Sequence, residues 1–141
     1  DPVTNYERFG VNFDDLIPLT DEFLVVMFSK NYATPWYWEM LVRNFKKLFK
    51  EVKLNCALYV IGPGDDPKET PTPSELLTVS VRMARAGTDG ILYLTDKAAQ
   101  MQEFQKKVVA EKDTRERLKS YGGRAGQEVL DLVTSWENKY V

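Results

Sequence analysis

Six consecutive apolar residues, Phe23-Leu24-Val25-Val26-Met27-Phe28, constrain this chain more than any other feature. An unbroken apolar run of that length predicts a strand covered on both faces by helices, as in a parallel sheet. Two further apolar segments follow at helix-spaced intervals. Leu54 to Ile61 stops at Gly62, Pro63 and Gly64, and Ile91 to Leu94 follows the turn residues Gly87 to Gly90. Between them lie segments with helical periodicity. Thr34 and Pro35 open the first, which carries Met40, Leu41, Phe45, Leu48 and Phe49 to about Lys50; Pro35 suits a first helical turn. The second is capped by Ser74, carries Leu76, Leu77, Val79, Val81, Met83 and Ala84, and ends at Gly87 as a left-handed terminator.

The flanks are predicted to be helical as well. Residues 1 to 10 read as a loop, and Asn12 caps a short turn through Phe13, Leu16 and Ile17 that ends near Pro18. After the third strand, one helix spans Ala98 to about Tyr121 with Met101, Phe104, Val108 and Val109 on its apolar face. A second, from Gln127 to Tyr140, carries Val129, Leu132, Val133 and Trp136. The segment Gly62 to Pro73 holds four prolines, two glycines and three acidic residues, which marks it as a loop.

The order helix, strand, helix, strand, helix, strand, helix, helix defines an α/β domain of parallel βα units joined by right-handed crossovers. Two architectures fit: a half-barrel arc of a (β/α) TIM barrel, or an open flavodoxin- or TIR-like sheet. The 141 residues are a single domain, 1–141, large enough to bury roughly 70% of the surface exposed when unfolded without disulfide or metal.

Composition excludes several functions. Nineteen basic and twenty-one acidic residues leave a formal charge of -2, which supplies no field for a nucleic-acid backbone or an anionic membrane, so neither partner is expected. Lys46, Lys47 and Lys50 read as a solvated helix face. The chain has no histidine, which removes the commonest general base and zinc ligand, so no metal site and no cofactor are expected. Cys56, the one cysteine, sits in an apolar run and reads as a small buried hydrophobe. No export signal or membrane-length apolar stretch is visible, and a cytoplasmic location is expected.

In both architectures function belongs at the carboxyl ends of the strands. Beyond the first strand lie Ser29, Asn31, Tyr32, Trp36, Tyr37, Trp38 and Glu39, aromatic and polar groups suited to a sugar ring or planar ligand. Trp36 and Trp38 can alternatively pack the helix inward, although one helix cannot turn both to the core. Beyond the second strand come Asp65 and Asp66, and beyond the third Asp96. These are the carboxylates available for paired acid–base chemistry, Asp65 and Asp96 as catalytic candidates and Asp66 as a substrate contact, and each residue also suits a turn or a helix cap.

Gly10-Val11-Asn12-Phe13-Asp14-Asp15, the segment Asp21 to Tyr32, Leu58-Tyr59-Val60 before the Pro/Gly loop, and Ala84-Arg85-Ala86-Gly87-Thr88-Asp89-Gly90-Ile91 together resemble the C-terminal half of a TIM-barrel glycoside-hydrolase-like protein. That resemblance implies carbohydrate or another small molecule as ligand. Such families usually carry a catalytic acid at a strand end, whereas Asn55-Cys56-Ala57-Leu58-Tyr59 holds no glutamate, so under this resemblance the acid is expected in an N-terminal half upstream of Asp1. A half-barrel exposes strand edges that proteins normally pair, so a homo-oligomer or a companion segment is expected. Val25 to Ala33 followed by Trp36 and Glu39 is also similar to the strand and loop of Toll/interleukin-1 receptor (TIR) domains, some of which cleave NAD with a helical glutamate. Under that resemblance Glu39 is the catalytic or binding residue and the domain self-associates for signalling.

Overall fold

A computed structural model describes residues 7–27, 35–62, 66–95, 97–111, 113–121 and 123–140. Three strands, β1 (Glu22–Met27), β2 (Lys53–Tyr59) and β3 (Gly90–Leu94), form one parallel sheet in the order β1-β2-β3. The helices are α1 (Phe13–Leu16, continued by a 3-10 turn over Ile17–Leu19), α2 (Pro35–Leu48), α3 (Pro73–Ala86), α4 (Ala98–Ala110), α5 (Thr114–Tyr121) and α6 (Gly123–Tyr140). Glu7 to Phe9, expected as loop, are helical, and the short helical segment ends at Leu19, next to Pro18 as expected. Asn12 caps α1 as expected, its side chain accepting from the Asp14 N–H at 3.1 Å.

Strands that neighbour one another in sequence order, joined by right-handed crossovers, put their connecting helices on one face of the sheet. Accordingly α2 packs on α3, and alternate strand residues Phe23 and Val25, Leu54, Cys56 and Leu58, and Ile91 and Tyr93 enter a single core with Val42, Phe45, Leu77, Met83 and Val129. Phe13 stacks on Phe49 at 5.6 Å and so closes the amino end of that core.

The opposite face corrects the expectation of a first strand covered on both sides. Leu24 and Val26 are 51% and 36% exposed, and Leu92 is 40% exposed. Register aligns these residues in rows: Leu24 with Asn55 and Gly90, Val26 with Ala57 and Leu92, and Tyr59 with Leu94. An unbroken apolar run reports two apolar faces, but nothing in it requires that helices cover both.

Three local differences have identifiable causes. The cap of α3 is Thr72 and not Ser74: Thr72 Oγ1 accepts from the Glu75 N–H while the Glu75 carboxylate accepts from the Thr72 N–H, a reciprocal capping box with Pro73 in the first turn. The helix expected to run from Ala98 to Tyr121 is broken after Ala110, where Glu111 turns to extended backbone and the buried Thr114 starts α5. And α6 starts at Gly123, four residues before the expected Gln127. Gly87 terminates α3 at φ 103°, as read from sequence.

Beneath β3, the Tyr93 hydroxyl hydrogen-bonds the buried Ser80 hydroxyl at 2.7 Å, and its ring meets Phe104 and Trp136. Burial of the phenol pushes its pKa up to about 12 against a small opposing effect of Ser80. A raised folded-state value leaves stability intact below the unfolded pKa near 10 and removes it progressively as pH rises from there towards 12. Circular dichroism between about pH 9 and 12 is therefore expected to show base unfolding that is shallower in Tyr93→Phe. An equally steep loss in that variant would assign the transition elsewhere.

Candidate functional site

The parallel register brings the carboxyl ends of β1, β2 and β3 to one rim, at Met27, Tyr59 and Leu94. Ser29, Asn31, Tyr32, Asp65 and Asp96 lie outside the described residues. Trp36, Glu39 and Asp66 are described, and each has a distinct setting.

Trp36 stands in the first turn of α2 and is 62% exposed, whereas Trp38 packs against the core. Two residues along a helix rotate the side-chain direction by about 200°, so a single helix sends one indole inward and leaves the other in solvent. Tyr37 meets Trp38 edge to face at 5.3 Å. The platform foreseen from sequence therefore divides into a packing residue and an open indole.

Glu39, one helical turn further on, faces α3. Its side chain is 16% exposed, one oxygen accepting from Arg43 at 2.7 Å and the other from Arg82 at 3.2 Å. The Arg43 hydrogen bond, stronger than the opposing desolvation and aided by Arg82, holds this carboxyl below its ordinary value. Glu39 thus ties α2 to α3 as an anion. The Nε of Arg82 is buried without a hydrogen-bond partner among the described residues.

Asp66 organises the loop after β2. Its side chain accepts from the Lys68 N–H at 2.8 Å, and its carbonyl accepts from the Thr70 N–H at 3.0 Å and the Thr70 hydroxyl at 2.7 Å. The Thr70 hydroxyl oxygen also accepts from the Gly62 N–H at 2.9 Å, which fastens the loop to the end of β2. Beyond β3, Thr95 Oγ1 bonds Gln100 and accepts from the Lys97 N–H at 3.2 Å, the local turn expected before a helix.

At the opposite end of the sheet lies a contact not foreseen from sequence. Asp89 accepts from Lys46 Nζ at 2.8 Å and from the Leu54 N–H at 2.8 Å, joining α2 to the starts of β2 and β3. Those two bonds, Lys46 first, lower its pKa. Lys46 is therefore no purely solvated face residue; it also donates to the Val52 carbonyl at 3.2 Å. Cys56 is buried and its thiol pKa is raised, chiefly by desolvation, so it sits as an inert core residue.

Compared with protein-family models, curated proteins and solved structures, the chain matches none. Among the described residues, no group of three or more His, Cys, Asp and Glu side chains is placed to hold a metal ion, and no helix is long and apolar enough to cross a membrane. The rim side of the sheet carries the open face of Trp36, in the first turn of the helix after β1, and, after β2, a proline-rich loop pinned by Asp66 and Thr70.

Proposed function

We propose that this chain is an arc of a (β/α) barrel whose rim, at the carboxyl ends of β1 to β3, binds carbohydrate. The open indole of Trp36 is the stacking surface, Ser29, Asn31, Tyr32 and Asp66 are the polar contacts, and Asp65 and Asp96 are the carboxylates for glycoside hydrolysis. The barrel arc is supported by strands that follow one another without reversal, helices gathered on one face, and an aliphatic row of Val26, Ala57 and Leu92 on the other, as an interior layer of a barrel is built. Strands from a second copy or from a companion segment complete it at both edges.

The observation that carries the ligand reading is the exposure of Trp36 just beyond β1. A large aromatic face left in solvent while Trp38 takes the packing role costs nothing to the fold and supplies contact area at low entropic cost. Glu39 stands behind the rim in this reading and holds α2 to α3. The TIR-like alternative assigns Glu39 to chemistry and requires its carboxylate to leave both Arg43 and Arg82.

Tryptophan fluorescence titration with a panel of neutral oligosaccharides tests the proposal. Trp36→Ala is expected to weaken the binding by about tenfold, roughly 1.4 kcal/mol, with the thermal midpoint unchanged because the indole lies outside the core. A panel silent on this chain and on a version extended upstream, or an unchanged affinity in Trp36→Ala, would remove the carbohydrate reading. NAD cleavage lost on Glu39→Ala would establish the alternative.

A further inference from the structure

We propose that the cleft at the amino end of β3 binds the phosphoryl group of a small phosphate-bearing molecule, at the end of the sheet opposite the carbohydrate rim. The cleft holds about 800 Å³ and lies between α2, α3 and α6, within the size range of ligand sites, about 300–1,000 Å³. Each of those helices contributes one arginine to its lining: Arg43, Arg85 and Arg124. Guanidinium forks match the oxygens of a tetrahedral dianion, and donors arriving from three elements surround such a group better than a flat carboxylate.

Two carboxylates also line the cleft, and both are engaged. Asp89 gives one oxygen to Lys46 and the Leu54 N–H, and Glu128 accepts from Arg124 Nε at 2.6 Å. Arg43 spends its Nε and one terminal nitrogen on Glu39. Arg85 is exposed and has no ion pair or hydrogen bond among the described residues, whereas Arg43 and Arg124 each pair with a carboxylate. Gly123 and Ala125 bring the amide end of α6 to the same wall, where first-turn N–H groups lack intrahelical partners and the helix dipole is positive.

The cleft adjoins a smaller recess of about 160 Å³, with which it shares Ala84, Thr88, Asp89 and Glu128. Ile91, Val129 and Leu132 give that recess an apolar floor. A phosphoryl group among the arginines thus leaves room beside it for a compact apolar substituent, and an aryl phosphate is the simplest molecule with both parts.

Amide chemical-shift titration of the full chain with phenyl phosphate, inorganic phosphate and acetate tests this. Saturating shifts are expected at Arg85, Thr88 and Gly123 to Ala125, with phenyl phosphate binding more tightly than inorganic phosphate and acetate not saturating. Arg85→Gln is expected to weaken phenyl phosphate about tenfold, the loss of a charge-assisted hydrogen bond. Glu128→Gln is expected to tighten it severalfold by freeing Arg124, a change of opposite sign that a folding defect would not produce. Shifts that rise linearly or spread to Lys106 and Lys107, or equal affinity in Arg85→Gln, would overturn the site. Equal binding of inorganic and phenyl phosphate would overturn the apolar recess.

Discussion

Val26→Asp is expected to cost more than about 3 kcal/mol, the penalty for an unpaired charge in a closed interior. Val26 lies in one row with Ala57 and Leu92, on the face that carries no helix. If that face is a barrel interior, strands added at the sheet edges bury it, and a carboxylate there has no partner: the row holds only aliphatic side chains. If the face stays in water, the same substitution changes stability by only about 0.5 kcal/mol, as surface changes do. Leu48→Asp is the internal control. Leu48 is 61% exposed on α2, on the outer side of the helical layer, and its substitution is expected to be near neutral. Urea unfolding of the two variants, with light scattering to read assembly, checks the contrast. Equal, small effects at both positions would mean that the open sheet face is ordinary surface.

Gly62→Ala is expected to destabilise the chain by about 1–3 kcal/mol, the range for overpacking. Gly62 is buried where β2 leaves the sheet, and an added Cβ would lie 2.6 Å from the Glu69 carbonyl carbon and 2.8 Å from the Thr70 nitrogen. Both are backbone atoms, so no side-chain rotation relieves the clash. The loop must move as a unit, taking with it Asp66 and the Thr70 hydroxyl that the Gly62 N–H reaches. A thermal melt reads the stability change, and oligosaccharide binding in the same variant reads displacement of the rim. A melt identical to that of the parent would show that residues 66–70 do not pack against Gly62 as described.

Much of this fold was legible because its elements are locally encoded. The three apolar runs became the three strands within a residue or two, and Gly87 ended α3 where a left-handed residue was needed. The strand order and the bare sheet face were not legible, since an apolar run such as Phe23–Phe28 reads alike whether helices or other strands cover its second side. The break after Ala110 is not encoded locally, because the polar stretch Glu111 to Glu116 carries no apolar periodicity with which to lose register. Ser74 and Thr72 both suit a cap, and the decision rests on the reciprocal bond with Glu75.

At the rim, the divergence of Trp36 and Trp38 followed from helical rotation alone, although which indole faced the core did not. From sequence, the Glu39 carboxylate reads as a rim contact. Its bond to Arg82, 43 residues away in sequence, depends on how α2 lies against α3, and no local pattern encodes that. The same separation hides the Lys46–Asp89 clip and the three arginines of the amino-end cleft.

Thiol labelling of Leu92→Cys tests the barrel arc most directly, because Leu92 occupies the β3 position of the central apolar row. Peptide mass mapping separates its signal from that of the buried Cys56. An interior position predicts labelling at least about a hundredfold slower than in urea-unfolded chain, a protection of roughly 2.7 kcal/mol or more. Labelling at the unfolded rate in a chain that remains folded would show the row open to water and contradict the barrel.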